Sequence, residues 1–158
     1  GSMLGAQTQA EINNFSIIEA KKKLFRLWSK AYYVNDFGEN TKNTYKYKMV
    51  YGTFSSNYAD YEECKYRLFV DKNRFGIDVF EFGSDPADFG IEKIVVKIKN
   101  TKGEIKSFKF KVYRNSLIYD DPAPRKRFYM FLSERGSFKF YFKEDAKIPW
   151  EYRFTLNL

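Results

Sequence analysis

The stretch from Cys64 to Gly83 constrains this chain more than any other, because its pattern fixes its own register. It reads as two strands folded back at Lys72-Asn73. With Asp71 facing Arg74, Val70 faces Phe75, Leu68 faces Ile77 and Tyr66 faces Val79, all apolar and all on one face. Arg67 then stands opposite Asp78 on the other face, an opposite-charge cross-strand pair. A slip of one residue would expose the whole apolar set, so the pattern demands a hairpin with one buried side.

The same logic recurs downstream. Ile91 to Lys99 alternates, and a three-residue loop, Thr101 to Gly103 with Gly103 left-handed, pairs Val96 with Phe108 and Ile94 with Phe110. A loop one residue shorter would set Ser107 opposite Val96 and put a hydroxyl into the core. The chosen register places Lys93, Lys97, Lys109 and Lys111 on the opposite face, alongside Lys99. Like charges that close repel, so this face is either solvated or meets an anion.

Further strands are read at Tyr45 to Phe54, Ser116 to Tyr119, Phe138 to Lys143 and Trp150 to Leu158. In the first, Tyr45, Tyr47, Met49 and Tyr51 share one side, with Lys46, Lys48 and Val50 on the other. In the last, Trp150, Tyr152, Phe154, Leu156 and Leu158 point inward without a fault. Aromatic residues are 20% of the chain, the composition that half-buried pleated surfaces select, and the class is mainly β.

Two helices are expected. Ser16 stands three residues before Glu19, the capping-box spacing. Ile17, Ala20, Leu24, Trp28 and Ala31 follow at helical spacing, with Lys21, Lys22, Lys23, Arg26 and Lys30 opposite, which predicts an amphipathic helix over 16–32. Packing on a sheet is favoured for it over a membrane surface. Asp121 as N-cap, Pro122 at the first helical position and Gly136 as stop predict a short helix near 122–134, in preference to a buried strand through Phe128–Leu132. Gly1-Ser2 looks like a cleavage scar, so residues 1–14 read as a tag remnant and flexible N-terminus, followed by one domain over 15–158.

Composition narrows the chemistry. The 158 residues contain one cysteine and no histidine. That removes an internal disulfide, multi-cysteine metal sites, and the Ser-His and Cys-His nucleophile pairs. No metal or other cofactor is expected. No run approaches the ~20 apolar residues of a spanning helix. The net charge of +8 is uneven. Residues 93–143 hold 14 Lys/Arg against 4 Asp/Glu, and the remainder 14 against 16.

This asymmetry marks candidate anion-binding residues: Lys97, Lys99, Lys109 and Lys111 as one patch and Arg125, Lys126 and Arg127 as a second. Two other candidates are weaker. The loop Asn35–Thr41 has oxygens for calcium, but not at ligand spacing, and reads as a turn. Asp85 and Asp88 in one loop and Asp120 and Asp121 in another are the only carboxylates that suggest a catalytic pair.

Several stretches in order carry a resemblance. Asp36-Phe37-Gly38-Glu39, Gly52-Thr53-Phe54-Ser55, Val70-Asp71-Lys72 and Phe80-Glu81-Phe82-Gly83 are similar to motifs of a group of uncharacterised bacterial β-rich domains, best known from Bacteroidetes exported proteins. A short helix ending at Gly136, followed by Phe138-Lys139-Phe140-Tyr141, also resembles that group, and the likeness spans roughly residues 35 to 158. The chain departs at Lys42, where a Gly often follows the Thr, and at Ser56, where an Asn usually stands.

The resemblance implies a β-sandwich of antiparallel hairpins in a periplasmic, outer-membrane-associated or secreted setting. A native chain without an export signal would be cytoplasmic. The group supplies no activity. The expected function is therefore a non-catalytic interaction module of the cell envelope with a protein or glycan partner. The alternative is an anion-binding domain for nucleic acid or acidic polysaccharide; an enzyme is not expected.

Overall fold

A computed structural model describes residues 8–56, 59–120, 122–144 and 149–158. Three helices accompany the strands: α1 (Gln9–Asn14), α2 (Ile17–Leu24) and α3 (Pro122–Leu132). The strands are β1 (Ser29–Val34), β2 (Asn40–Ser56), β3 (Ala59–Val70), β4 (Phe75–Glu81), β5 (Asp85–Pro86), β6 (Lys93–Lys99), β7 (Ile105–Tyr113), β8 (Ser116–Tyr119), β9 (Ser137–Lys143) and β10 (Glu151–Asn157).

Both hairpins take the registers their patterns dictate. Val70 pairs with Phe75, Leu68 with Ile77, Tyr66 with Val79 and Arg67 with Asp78. Arg67 Nη2 lies 2.7 Å from Asp78 Oδ2, and Ser116 Oγ donates to the other carboxylate oxygen at 2.5 Å. In the second hairpin Val96 pairs with Phe108 and Ile94 with Phe110. Gly103 has φ +85°, and the Asn100 amide donates to the Glu104 carbonyl at 2.9 Å across the three-residue loop.

The sandwich expectation is wrong. The strands run β2-β10-β9-β6-β7-β8-β4-β3, and β3 pairs again with β2, which closes an eight-stranded antiparallel barrel. β1 lies outside on β2, and β5 on β4. A sandwich and a barrel share the same in-out alternation and the same hairpins. What separates them is whether the two end strands meet, and here the 17-residue β2 meets both. Lys46 to Phe54 pair with β3 on one side, while Thr53 to Ser55 pair with β10 on the other. Closure removes the exposed edges a sandwich would have to protect.

Gly52 sits at that seam. A Cβ built there would lie 2.1 Å from the Arg153 carbonyl oxygen and 2.8 Å from Phe154 Cβ. Only a residue without a side chain lets β10 cross β2 this closely.

The first helix is also shorter than expected. Ser16 caps it through its hydroxyl, 3.2 Å from the Glu19 amide, but α2 stops at Leu24. Phe25 to Trp28 turn, and Lys30 and Ala31 belong to β1. Trp28 is still buried, because its ring packs on Phe25 with centroids 4.5 Å apart. α3 forms near the expected span, starting at Pro122, while Asp121, its expected cap, lies outside the described residues. Residues 9–14 form α1, capped by Thr8.

The barrel interior is filled by rings. Tyr152 stacks on Phe142 at 5.0 Å and Phe154 on Phe140 at 4.6 Å, each a directly paired couple of β10 and β9. α2 and α3 cover one end, where Phe128 lies 4.7 Å from Tyr119 and 5.1 Å from each of Phe75, Phe108 and Tyr129. β2 departs from this aromatic-in rule. Val50 points in, while Tyr51 is 67% exposed and its row of tyrosines faces out. Lys46, on the inward phase, donates from Nζ to the Phe25 and Arg26 carbonyls at 3.3 and 3.1 Å.

The opposite end is acidic. Burial first, then repulsion from Glu144 and Asp85, raises the Glu81 carboxyl above its ordinary value. A carboxyl raised on folding contributes stability that is fully present below its unfolded pKa and lost as pH rises through the folded one. At pH 7 Glu81 therefore carries a cost. Glu81→Gln is expected to raise the melting temperature at pH 7, and the gain should vanish below the ordinary glutamate range. Melting curves at stepped pH read both ends; a lower melting temperature for the variant at pH 7 would contradict the repulsion.

Candidate anion-binding groove

A groove of about 600 Å³ crosses the outer surface of β6, β9, β10 and β2. Alternation puts the core residues Ile98, Phe140 and Phe154 inside, and so turns their neighbours outward. The ladder then aligns these in rows. Lys97 pairs with Tyr141, Tyr141 with Arg153 and Arg153 with Thr53, one residue from each of four strands. In the next row Lys99 pairs with Lys139 and Lys139 with Thr155. Three inter-strand steps make the first row about 14 Å wide, and two make the second about 10 Å.

Arg153 is held in this surface from several sides. Its guanidinium carbon lies 4.9 Å from the Tyr141 ring centroid and 5.7 Å from that of Tyr61. Nη2 meets Glu151 Oε2 at 3.2 Å and Nη1 donates to Ser55 Oγ at 3.3 Å. Tyr141 donates its hydroxyl to Glu151 Oε1 at 2.8 Å. That bond, with burial opposing it and Arg153 and Lys143 adding to it, holds the Glu151 carboxyl below its usual range.

Glu151 thus serves as the anchor of Tyr141 and Arg153. Lys97, Lys99 and Lys139 have no acidic partner within ion-pair distance among the described residues. Two lysines directly opposite one another repel, unless water or a bound anion stands between them.

The sequence-predicted residues divide. Lys97 and Lys99 enter the groove. Lys109 and Lys111 are on the same outer face but one strand further round, in a small hollow of about 90 Å³ with Lys93 and Asp120. There Lys111 Nζ meets Asp120 Oδ1 at 3.1 Å. The expected second patch is not a patch: Arg125 Nη1 donates to the Asn73 carbonyl at 3.1 Å, Lys126 Nζ to the Ile12 carbonyl at 3.3 Å, and only Arg127 is exposed.

Lys139, Tyr141 and Arg153 were missed as site residues. Their outward phase is legible in the alternation of β9 and β10, but the pairing of β9 with β6 is not. The chain therefore gave no sign that Lys139 stands beside Lys99.

The catalytic alternative loses its geometry. Asp85 pairs with Glu81 at one end of β4, while Asp120 follows Tyr119, which pairs with Phe75 at the other. Six residues of strand separate them, about 20 Å. Asp121 lies outside the described residues. Cys64 is fully buried, and burial pushes its thiol up to about 11. Among the described residues no group of three or more acidic, cysteine or histidine side chains is placed to hold a metal ion. Of the expected Asn35–Thr41 loop, residues 35–39 form a turn, with Asn35 Oδ1 accepting from the Phe37 and Glu39 amides at 2.9 and 3.0 Å, and Asn40 and Thr41 begin β2. No described helix is long and apolar enough to cross a membrane.

Compared with family models, with curated proteins and with solved structures, the chain matches none. The site is therefore read from its own chemistry.

Proposed function

We propose that this chain is a non-catalytic binding module whose groove over β6, β9, β10 and β2 takes a polyanion, an acidic polysaccharide or single-stranded nucleic acid. The observation that carries this reading is the juxtaposition of Lys97, Lys99 and Lys139 without acidic partners, beside the Arg153–Tyr141 stack. An array of cations spread over two inter-strand steps, about 10 Å, matches a charged chain better than a single small ion. Tyr51, 67% exposed at the groove wall, offers a face on which a flat base or sugar ring can lie. An exported or envelope address belongs to the same proposal, rests on the family resemblance, and is tested by fractionating cells that make the native chain.

Retention on heparin and on single-stranded DNA across a salt series tests the binding. With four groove cations engaged on a single strand, log affinity is expected to fall with log salt at a slope of about −3. K97E/K99E/K139E should abolish retention, while K93E/K109E, reversed in the neighbouring hollow, should keep most of it. Equal loss in both variants would reduce the effect to net charge, and no loss in the first would end the proposal. Preference for one column over the other separates the two ligand classes.

A further inference from the structure

We propose a second anion site, separate from the outer groove, in the pocket between α2, α3 and the β3–β4 turn, where a phosphoryl or sulfuryl group binds between Lys21 and Arg125. The pocket is about 460 Å³, and its charged lining is Lys21, Lys22, Lys46, Lys72 and Arg125 against the single carboxylate of Asp71.

That carboxylate is already spent. Asp71 Oδ2 accepts from the Tyr33 hydroxyl at 2.6 Å and from Arg74 Nε at 3.0 Å. Oδ1 accepts from the Asn73 and Arg74 amides at 2.9 and 3.0 Å. Burial works against the charge on Asp71, but these bonds outweigh it and hold its pKa below the ordinary value. Asp71 shapes the turn and pairs with Arg74, so this one shared carboxylate faces the five cations of the pocket.

Two of those cations are crowded. Lys21 is half-buried, donates from Nζ to the Asp71 backbone carbonyl, and lies 5.4 Å from the centroid of the Tyr129 ring. Burial, then the charge of Arg125, brings the Lys21 ammonium down to about 8, with Asp71 opposing. Arg125 spends Nη1 on the Asn73 carbonyl, yet its Nε is buried with no acceptor. The Tyr129 hydroxyl, four residues on and therefore on the same side of α3, is also buried without a partner.

A buried guanidinium nitrogen without an acceptor costs free energy that a bound oxyanion would recover. The repulsion between Lys21 and Arg125 favours a ligand of more than one negative charge. The remaining wall is apolar, including Ile17, Val70 and Ile18, which is 68% exposed, so the group can arrive on an organic body.

The chemistry is shared by phosphorylated or sulfated small molecules and by anionic lipid headgroups. The test titrates the full chain with inorganic phosphate and with sulfate at constant ionic strength, using chloride as the control and backbone amide resonances as the readout. A parallel arm sediments the protein with phosphatidic acid/phosphatidylcholine vesicles. Saturable shifts should gather in 18–25, 71–74 and 125–129, and K21Q and R125Q should each weaken them at least tenfold while heparin retention on the groove persists. Phosphate binding without sedimentation assigns a free small molecule; sedimentation that K21Q and R125Q abolish assigns a headgroup. Shifts equal to those of chloride together with no sedimentation, or binding by both variants at wild-type strength, would overturn the site.

Discussion

Phe128→Ala is expected to destabilise the protein by about 4 kcal/mol, the range for truncating a fully buried aromatic ring. In a domain of this size that is a fall in melting temperature of about 10 °C. Phe128 has no exposed surface and packs on rings of three strands at once, Phe75 on β4, Phe108 on β7 and Tyr119 on β8, as well as on Tyr129 of its own helix. It fastens α3 to the barrel mouth, so its loss leaves a void that three strands cannot all close on. Phe37, 85% exposed at the tip of the β1–β2 turn, is the contrast. Phe37→Ala should change stability by less than about 0.5 kcal/mol. Thermal and urea melts of both variants decide the matter, and equal effects would contradict the placement of α3.

Gly52→Ala should be nearly as damaging, for the opposite reason. The added methyl would meet the Arg153 carbonyl and the Phe154 Cβ at 2.1 and 2.8 Å, atoms that move only if β10 moves. Overpacking against backbone costs about 3 kcal/mol. Because Thr53, Phe54 and Ser55 are the β2 residues that pair with β10, the damage should fall on barrel closure itself. Amide exchange in Arg153 to Thr155 should accelerate more than in the β3–β4 hairpin.

Gly76 makes a useful comparison. Its Cβ would meet the tip of the Phe69 ring at 2.0 Å, the far end of a side chain and not backbone, which can give way at less cost than a strand. Gly76→Ala should therefore cost less than Gly52→Ala. The reverse order would mean that β10 does not cross β2 at Gly52.

Local pairing was legible and distant pairing was not. Val70 opposite Phe75 and Val96 opposite Phe108 follow from alternation across a short turn, which admits one register that buries every apolar residue. The stripe through Leu24, Trp28 and Ala31 misled because a helical spacing is also met by residues that pack together after the helix has ended. Trp28 reaches the core from a turn, and tertiary contact with Phe25 overrides the local pattern. In β2 alternation separated two faces without saying which is inner: its lysines take the inward phase, and Lys46 is satisfied by carbonyls at the end of α2.

Closure of the barrel rests on β10 with β2 and β6 with β9, contacts between strands far apart in the chain that no local period encodes. The candidate site was half legible for the same reason. Lys97 and Lys99 were visible as an outward face, whereas their neighbours Lys139 and Arg153 come from strands about 40 and 55 residues further along the chain.

Mapping the contacts of a bound polyanion tests directly whether it lies across the four-strand groove. In a backbone and side-chain resonance titration with a heparin oligosaccharide and with a short single-stranded oligonucleotide, binding across the groove predicts saturable shifts at Lys97, Lys99, Lys139, Tyr141 and Arg153. Shifts confined to Lys93, Lys109 and Lys111, or spread evenly over every exposed lysine, would contradict it.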